Sequence, residues 1–343
     1  MNNKYCVNIG IITLPLYCNY GGVLQNFALQ ETLKKIGYRS ITFNKVVKRP
    51  LWKVVGSLLK TFYYKVIKRH SWQFLGFSPN RLDFVSDFLQ KYIELSPSLS
   101  EYNHCVVNEY INQFNFFALI VGSDQVWRPK YNKQIEEMFL KFAKKIPIKR
   151  VAYAASFGVD DWEYSSKQTR ECSKLAKKFD AISVREDSGV NLCKEHLGVD
   201  ATWVLDPTLL LTKDDYLPIC ENVPICHERY LAVYVLDENE KVMTIYEKEA
   251  NERGLNIRKF HAGSKSTLTI PEWLAMFRDA SYVVTDSFHG TVFSIIFGKE
   301  FKCIYNKDRG AARFESLMNL YNSGKLEEMR EFSLNWLKNA LEK

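Results

Sequence analysis

Residues 283–293 read Val-Val-Thr-Asp-Ser-Phe-His-Gly-Thr-Val-Phe, and this stretch indicates how the chain folds. Its first residues are typical of a buried strand, its polar middle of a turn, and its apolar end of the start of a helix. The same succession recurs along the chain. Because strands that alternate with helices form parallel sheets, we predict an α/β fold whose polar turns gather at one edge of each sheet.

The predicted elements form two alternating sets. The first set has strands at 7–14, 116–122, 151–155, 181–184 and 202–205, and helices at 23–36, 84–92, 166–179 and 188–197. The second set has strands at 230–236, 256–260, 282–285 and 301–304, and helices at 241–253, 271–280, 291–297, 314–321 and 326–341. The proline-rich stretch 206–229 between them lacks a long periodic run and indicates a boundary. We therefore predict two Rossmann-like parallel-sheet domains, 1–210 and 211–343, that face each other across a cleft, with closing helices that can cross back.

The composition excludes several classes of protein. With 46% hydrophobic and 25% charged residues, the 343-residue chain is typical of soluble globular proteins and not of disordered, collagen-like or coiled-coil ones. Apolar runs such as 116–122 are far shorter than the roughly 20 residues of a membrane-spanning helix, and the first residues do not read as a secretory signal. The eight cysteines have neither paired nor zinc-binding spacing. We expect a cytoplasmic protein with reduced thiols, no disulfide and no metal.

Positive charge is concentrated in one segment. Residues 32–82 contain twelve Lys and Arg residues and no acidic residue, so the net charge of +8 leaves −4 for the rest of the chain. Within it, residues 45–72 combine apolar helical periodicity with lysines and aromatic residues, the pattern of a helix that lies on an anionic membrane. That interpretation predicts peripheral attachment at the inner face of the cytoplasmic membrane. The pattern also fits a helix packed on its own domain; a nucleic-acid patch is a third interpretation, and we expect no nucleic-acid partner.

The turn within 283–293 carries the sharpest functional signal. Ser287, Thr291 and the backbone N–H groups of a helix start can bind an anion such as phosphate, and His289 can deliver a proton to a reacting group. The alternative is that Ser287 only caps the helix and His289 is a hydrogen-bonded turn residue. Arg185, just after the strand at 181–184, can clamp a carboxylate or phosphate, or form an ion pair with its acidic neighbours.

Two further turns are candidate ligand sites. Gly21 and Gly22 precede a helix, where glycine lets a ligand approach the backbone closely. After the strand at 116–122, Asp124 is a candidate base, and its neighbours can hydrogen-bond a sugar and stack on it. The alternative is an ordinary strand-to-helix turn. Asp206, which precedes Pro207, is expected to be a structural turn residue.

Six segments of the sequence, taken in order, resemble the polysaccharide pyruvyl transferase family. They are IGIITLPLYCNYGGVLQNFALQETLKKIG at 9–37, LIVGSDQVW at 119–127, YAASFG at 153–158, AISVREDSG at 181–189, WVLDPTLLL at 203–211 and VVTDSFHGTVFSIIFGKEF at 283–301. The resemblance implies a GT-B-like pair of domains. It also implies transfer of the enolpyruvyl unit of phosphoenolpyruvate to a sugar, with a pyruvate ketal and phosphate as products. This reaction requires no metal or redox cofactor.

The resemblance also implies roles for individual residues. Arg185 looks like the family arginine that binds the donor, and His289 looks like the histidine of an Arg-Leu-His type of motif, which here reads Ser287-Phe288-His289. Because the arginine of that motif is absent, Arg313 and Lys265 are its expected substitutes. The expected catalytic residues are His289, Asp124 and Asp286; the donor-binding residues are Arg185, Ser287, Gly290, Thr291, Arg313 and Lys265; and the acceptor-binding residues are Asn19, Gly21, Gly22, Gln25, Ser123, Gln125 and Trp127. The acceptor is expected to be a sugar of a surface or capsular polysaccharide precursor, and a lipid-linked oligosaccharide would account for segment 45–72.

Two other functions fit the same residues. A sugar-nucleotide glycosyltransferase of the GT-B type would have the same fold and cleft, but its donor would be a nucleotide sugar. A protein without catalytic activity that binds a membrane or a glycan would need neither Arg185 nor His289.

Overall fold

Two parallel sheets organise the described part of the chain, residues 8–17, 19–46, 80–263, 266–304 and 312–342 of a computed structural model. The strands are β1 (Asn8–Ile12), β2 (Arg39–Thr42), β3 (Phe116–Val121), β4 (Lys149–Ala155), β5 (Ala181–Val184), β6 (Thr202–Trp203), β7 (Tyr230–Tyr234), β8 (Asn256–Lys259), β9 (Tyr282–Thr285) and β10 (Glu300–Cys303). The first sheet has the order β2-β1-β3-β4-β5-β6 and the second β10-β9-β7-β8, with all neighbouring strands parallel. The predicted class, two parallel-sheet α/β domains, is confirmed.

Helices connect the strands of both sheets. They are α1 (Tyr20–Lys35), α2 (Asn80–Tyr92), α3 (His104–Phe114), α4 (Ser166–Ala176), α5 (Ser188–Leu192), α6 (Lys213–Tyr216), α7 (Glu240–Arg253), α8 (Ile270–Asp279), α9 (Phe288–Ile296), α10 (Ala312–Asn322) and α11 (Leu326–Glu342). Local signals explain several of their ends. Thr269 and Glu272 form a reciprocal capping box at the start of α8, and Gly254 ends α7 in the left-handed conformation.

Helix α1 lies between the two sheets. Val23, Leu24 and Phe27 belong to the apolar core that includes strands of the second sheet, whereas Leu29 and Leu33 pack with strands of the first. A helix that is buried all round has no continuous polar face, and the sequence of α1 agrees with this. The two domains therefore share apolar contacts through α1, which fixes the start of this helix beside both sheets.

Helices α10 and α11 return from the second sheet to the first. Leu337 and Leu341 of α11 share an apolar core with Val151 and Tyr153 of β4. In addition, Lys149 Nζ donates a hydrogen bond to the carbonyl oxygen of Leu341 at 2.9 Å. Helix α11, which follows the second sheet in the sequence, thus covers part of the first sheet. The division of the chain into domains after residue 210 stays a prediction.

Some elements of the structure are not predicted from the sequence. One is β2, a four-residue edge strand that begins with the exposed Arg39. Another is α3, whose ends are capped by Asn103 and Asn115. Residues 47–72 of the predicted membrane-surface segment lie outside the described residues. Among the helices that are described, none combines the length and the apolar composition needed to cross a bilayer.

Candidate active site

Polar turns of the first sheet meet the start of α9 at one place. In that sheet β1 lies between β2 and β3, so the connections after β1 and β3 depart to opposite sides. Open α/β sheets bind ligands in the crevice that such a switch leaves at the carboxyl ends of their strands. Helix α9 brings His289 against the start of α1, where a Cβ atom on Gly21 would lie only 2.1 Å from His289 Nδ1. Both domains therefore build this site.

Asp206, which follows β6, is at the centre of the site. Its Oδ2 atom accepts hydrogen bonds from Ser123 Oγ and from Arg185 Nη1, both at 2.9 Å. Its Oδ1 atom accepts from the backbone N and the Oγ1 of Thr208 at 3.0 and 2.6 Å. Burial raises the pKa of Asp206, but the positive charge of Arg185, with contributions from His289 and Thr208, holds this pKa at about 2. The carboxylate is therefore ionised at neutral pH.

Arg185, the first residue after β5, is buried between two carboxylates. Its Nη1 atom bonds to Asp206, whereas its Nη2 atom lies 3.8 Å from Asp124 Oδ1, too far for a hydrogen bond. The Nε and Nη2 atoms have no hydrogen-bond partner among the described residues. Burial lowers the pKa of Arg185, but the charges of Asp206, Asp124 and Glu186 outweigh this effect and raise it. The guanidinium group is therefore a buried cation, and its Nε/Nη2 edge carries no hydrogen bond from the described residues.

His289 lies in the first turn of α9, where Ser287 Oγ accepts a hydrogen bond from the backbone N of Gly290 at 3.4 Å. The imidazole is buried, and its Nε2 atom lies 4.0 Å from Asp206 Oδ2. Within the described ranges, Nε2 has no hydrogen-bond partner. Burial lowers the pKa of His289 from 6.5, an effect that Asp206 opposes and Arg185 increases. Burial and the neighbouring arginines therefore favour the neutral form of the ring, and the two aspartates oppose this effect.

Asp124 has a left-handed backbone conformation just after β3. Its φ of 75° is uncommon for a residue other than glycine, although aspartate adopts it more readily than most. Its Oδ2 atom accepts a hydrogen bond from Asn19 Nδ2 at 3.0 Å, and its carbonyl oxygen accepts from the backbone N of Val126 and Ser156. These contacts hold the Asp124 carboxylate on the α1 side of Arg185.

The ring of Phe288 contacts two buried arginines. Its centroid lies 4.9 Å from the guanidinium carbon of Arg185 and 5.5 Å from that of Arg313, which α10 contributes. Burial lowers the pKa of Arg313 to about 10, and the neighbouring charge of Arg185 adds to this effect. Phe288 thus brings two guanidinium groups together, and the carboxylates of Asp206, Asp124 and Glu186 offset the positive charge of Arg185.

Comparison with known proteins identifies the family. The family profile described as polysaccharide pyruvyl transferase matches residues 19–308, which is most of the chain. The chain belongs to the polysaccharide pyruvyl transferase family. Membership makes the protein a transferase that modifies polysaccharide. No curated protein matches the sequence.

Solved structures with the same arrangement of domains bind nucleotide sugars. The UDP-GlcNAc 2-epimerase from Neisseria meningitidis bound to UDP-GlcNAc is 11% identical, with a TM-score of 0.51 over 98% of this chain and 99% of that chain. The UDP-GlcNAc 2-epimerase from Methanocaldococcus jannaschii, in complex with UDP-GlcNAc and UDP, is 12% identical, with a TM-score of 0.50 over 91% and 87% of the two chains. At these identities the similarity concerns the fold alone. It agrees with the GT-B-like pair of domains predicted for this pyruvyl transferase family member.

Most residues predicted to bind or react lie at this site of the pyruvyl transferase family member. The structure brings together Asn19, Gly21, Gly22, Ser123, Asp124, Arg185, Ser287, His289 and Arg313. Lys265, the other expected substitute for the missing arginine, lies outside the described residues. The roles of these side chains stay predictions.

Asp206 lies at the centre of the site, although the sequence predicts only a structural turn residue at this position. The Asp-Pro pair at 206–207 is typical of a structural turn, and Asp206 does bond to Thr208 in such a turn. A signal was nevertheless present, because Asp206 follows a predicted strand at the same sheet edge as Arg185. It also lies within the segment 203–211 that resembles the pyruvyl transferase family.

Asp286 joins two loops of the second domain. Its Oδ1 atom accepts a hydrogen bond from the backbone N of Leu236 at 2.7 Å, and its Oδ2 atom accepts from that of Asp237 at 3.0 Å. These bonds connect the loops that follow β7 and β9. Both oxygens of Asp286 therefore already serve as acceptors, and its role as a base stays a prediction.

The residues of the predicted anion cradle in α9 bond to one another. The backbone N of Gly290 donates to Ser287 Oγ, and the hydroxyl of Thr291 donates to the carbonyl oxygen of Ser287 at 3.2 Å. A Cβ atom on Gly290 would lie 2.2 Å from Thr285 Oγ1, so this glycine is required for packing. These contacts are those of the alternative in which Ser287 caps the helix, and donor binding by the three residues stays a prediction.

Trp127 is placed differently from the prediction. Its ring is fully buried, its Nε1 atom donates to the carbonyl oxygen of Met138 at 3.0 Å, and it stacks on Phe139 with 4.7 Å between ring centroids. A sugar cannot reach this ring in the folded protein. The structure therefore corrects the expectation that Trp127 stacks on the acceptor.

Gln25 and Gln125 have protein partners in the structure. Gln25 is buried, and its Nε2 atom donates to the carbonyl oxygen of Gly22 at 2.9 Å and to Thr13 Oγ1 at 3.3 Å. The Oε1 atom of Gln125 accepts from Arg128 Nη1 at 3.1 Å. Both amides support the turns that carry Asn19 and Asp124, and direct contact with an acceptor stays a prediction.

Proposed function

We propose that the protein transfers the pyruvyl unit of phosphoenolpyruvate to two hydroxyl groups of a sugar in a polysaccharide precursor, forming a cyclic ketal and releasing phosphate. One observation carries the proposal. Buried nitrogens of Arg185 and His289 lie around Asp206 without a hydrogen-bond partner among the described residues. Because buried polar atoms cost free energy unless they are paired, a small anion with several acceptor oxygens suits this site.

The donor offers two anionic groups, and the site offers two guanidinium groups. The Nε and Nη2 atoms of Arg185 form one edge of its guanidinium group, which can pair with two oxygens of a carboxylate or a phosphate. Arg313 supplies a second positive charge on the ring of Phe288. We assign donor binding to these two arginines. Arg313 takes the place of the family-motif arginine, whose position is occupied by Ser287 in this chain.

His289 is assigned as the acid. The negative charge of the bound donor favours the imidazolium form of a histidine whose pKa burial has lowered. His289 then gives its proton to the methylene carbon of phosphoenolpyruvate, and the electrons of the carbon–carbon double bond form the new C–H bond. The central carbon becomes electron-poor and is stabilised by the oxygen that it carries.

Asp124 is assigned as the base for the acceptor. A sugar hydroxyl forms a bond to the electron-poor carbon as its proton passes to the Asp124 carboxylate. Phosphate then leaves with the electrons of its C–O bond. A second hydroxyl of the same sugar bonds to the same carbon and closes the ketal, and its proton passes to His289, which has given up its own. The acceptor is proposed to lie on the loops at 13–19 and 122–127, where Asn19 orients Asp124.

A lipid-linked acceptor would place the reaction at the inner face of the cytoplasmic membrane. The basic segment 45–72 suits this location, because cationic aromatic segments bind anionic lipid surfaces. Flotation with vesicles that contain anionic lipid tests this part of the proposal. Replacement of the lysines and arginines of 47–72 by glutamine is expected to abolish flotation. Equal flotation of the neutralised variant would contradict membrane attachment through this segment.

Acceptor-dependent release of phosphate from phosphoenolpyruvate tests the reaction itself. A panel of galactosides and N-acetylhexosamines is incubated with the protein, and mass spectrometry then follows the acceptor. The proposal expects one acceptor to gain a carboxyethylidene group, and His289→Gln to lose the activity. Asp279→Asn is the matched control, because its carboxylate pairs with Arg278 away from the site. If phosphoenolpyruvate neither reacts nor raises the melting temperature of the protein, pyruvyl transfer is excluded.

A nucleotide-sugar donor is the second candidate function. The fold similarity to structures bound to UDP-GlcNAc favours it, since the same arrangement of domains holds a nucleotide sugar there. A thermal-shift comparison separates the candidates. Stabilisation by a nucleoside diphosphate and not by phosphoenolpyruvate would favour glycosyl transfer, and the reverse result would favour pyruvyl transfer.

A further inference from the structure

The Asp206 carboxylate touches two of the residues proposed to act on the donor. It is fully buried, it bonds to Arg185 Nη1 at 2.9 Å, and it lies 4.0 Å from His289 Nε2. Ser123 and Thr208 supply hydrogen bonds to its two oxygens. A buried carboxylate with so many partners has one position, and its neighbours are held relative to it.

The bond to Arg185 decides which edge of the guanidinium group is available. In arginine, Nε and Nη2 form the side-on edge, which can hold two oxygens of one carboxylate or phosphate, and Nη1 lies outside this edge. Asp206 engages Nη1, while Nε and Nη2 have no hydrogen-bond partner in the described part of the chain. The bond between Asp206 and Nη1 thus leaves the Nε/Nη2 edge of Arg185 facing away from Asp206.

Asp206 also supplies the nearest negative charge to His289. The charged groups that face the imidazole are Asp206 after β6, Asp124 after β3, Arg185 after β5 and Arg313 from α10. Helix α1 packs Gly21 against the imidazole, and the first turn of this helix carries no acidic residue. The two arginines disfavour an imidazolium ion and the two aspartates favour it, with Asp206 the larger influence of the two aspartates.

We infer that Asp206 is a positioning residue, which turns the Nε/Nη2 edge of Arg185 toward the donor and serves as the counter-charge for His289 when the imidazole carries a proton. This inference rests on the proposed pyruvyl transfer. Asp206 is not expected to bind substrate directly, because its two carboxylate oxygens already accept hydrogen bonds from Ser123, Arg185 and Thr208. It acts through Arg185 and His289 alone.

Titration of His289 by NMR tests the inference without relying on turnover. The signal of His289, one of six histidines, is assigned by its loss in His289→Gln. In Asp206→Asn the carboxylate charge is gone and the shape is kept, so the pKa of His289 is expected to fall. Thr208→Val is the matched control, because it removes a hydrogen bond to Asp206 but keeps the charge of the Asp206 carboxylate. This variant is expected to leave the pKa of His289 unchanged. An unchanged titration of His289 in folded Asp206→Asn would overturn the inference.

Kinetics supply the second readout. In Asp206→Asn, phosphate release at pH 7 is expected to fall about 10- to 100-fold, and the limb on which activity declines with rising pH is expected to move to lower pH. A purely structural role would lower the melting temperature and leave this limb where it is. If Asp206→Asn does not fold, the double variant Arg185→Met/Asp206→Asn is compared with Arg185→Met, because these two proteins differ only in the Asp206 charge. The pKa of His289 is expected to be lower in the double variant than in Arg185→Met. If phosphoenolpyruvate neither reacts with the wild-type protein nor raises its melting temperature, the proposed function fails, while the titration still decides the role of Asp206.

Discussion

Replacement of Gly21 by alanine is expected to inactivate the protein while leaving it folded. The new Cβ atom would lie 2.1 Å from Nδ1, 2.5 Å from Cγ and 2.7 Å from Cε1 of His289. An ordinary contact needs about 3.5 Å, so the imidazole has to move by more than about 1 Å. Because the ring is buried, it cannot make this movement without leaving its position beside Asp206.

The size of the loss follows from that displacement. Misplacing a reacting group by about 1 Å costs on the order of 100-fold in rate, so kcat is expected to fall by about that factor. Stability changes less, because alanine favours the helix over glycine by about 1 kcal/mol and overpacking costs about 1–3 kcal/mol. The variant is therefore expected to unfold within a few degrees of the wild type.

Acceptor-dependent phosphate release measures the loss, and thermal unfolding confirms the fold. Gly122→Ala is the control at the same sheet edge, because its new Cβ atom meets nothing closer than 3.6 Å, and it is expected to keep its activity. In a His289→Ala background the added methyl group finds room, so Gly21→Ala is expected not to lower the melting temperature there. Two results would refute this prediction: a Gly21→Ala variant that keeps at least about a third of the wild-type rate, or a Gly21→Ala substitution that lowers the melting temperature of His289→Ala.

Three further outcomes are expected. Arg185→Lys keeps a charge beside Asp206 but loses the two-pronged edge, so the KM for phosphoenolpyruvate rises about 10- to 100-fold in steady-state assays; an unchanged KM would contradict donor binding there. Folding lowers the pKa of Asp206 from 3.8 to about 2. This shift stabilises the folded protein by about 2 kcal/mol above pH 4, and the stabilisation is lost as the pH falls through 2. Acid unfolding monitored by circular dichroism is expected to lose this pH dependence in Asp206→Asn. Trp127→Phe, which loses the bond to Met138, is expected to lower stability by about 1–3 kcal/mol in denaturant unfolding and to leave the KM for the sugar unchanged, whereas a raised KM would restore the acceptor role.

The sequence predicts elements best where periodicity and strong end signals coincide. The predicted strands at 181–184 and 282–285 have the bounds of β5 and β9, since each is a short apolar run that ends in polar residues. Strand β2 is missed because it is short and polar at its start, and its pairing with β1 depends on a neighbour distant in sequence. Local patterns do not contain that information.

The same limit applies to the candidate site. The positions of Arg185 and His289 are predictable, because side chains that closely follow a strand lie at the ligand-binding edge of a parallel sheet. Asp206 is not, since its partner Ser123 is 83 residues away in the sequence, and the local Asp-Pro pair indicates only a turn. Trp127 shows the opposite error: an aromatic residue beside a polar turn suggests an exposed platform, yet the fold places Met138 and Phe139 over it.

The return of α11 to the first sheet has a consequence for synthesis on the ribosome. Every strand of the first sheet emerges before β7, but Leu337 and Leu341, which cover Val151 and Tyr153, are translated only after the second sheet. Until then, this apolar part of the nascent first sheet lacks its α11 cover. Chaperones that bind extended apolar surface are thus expected to engage this nascent chain, and to release it only when α11 has emerged.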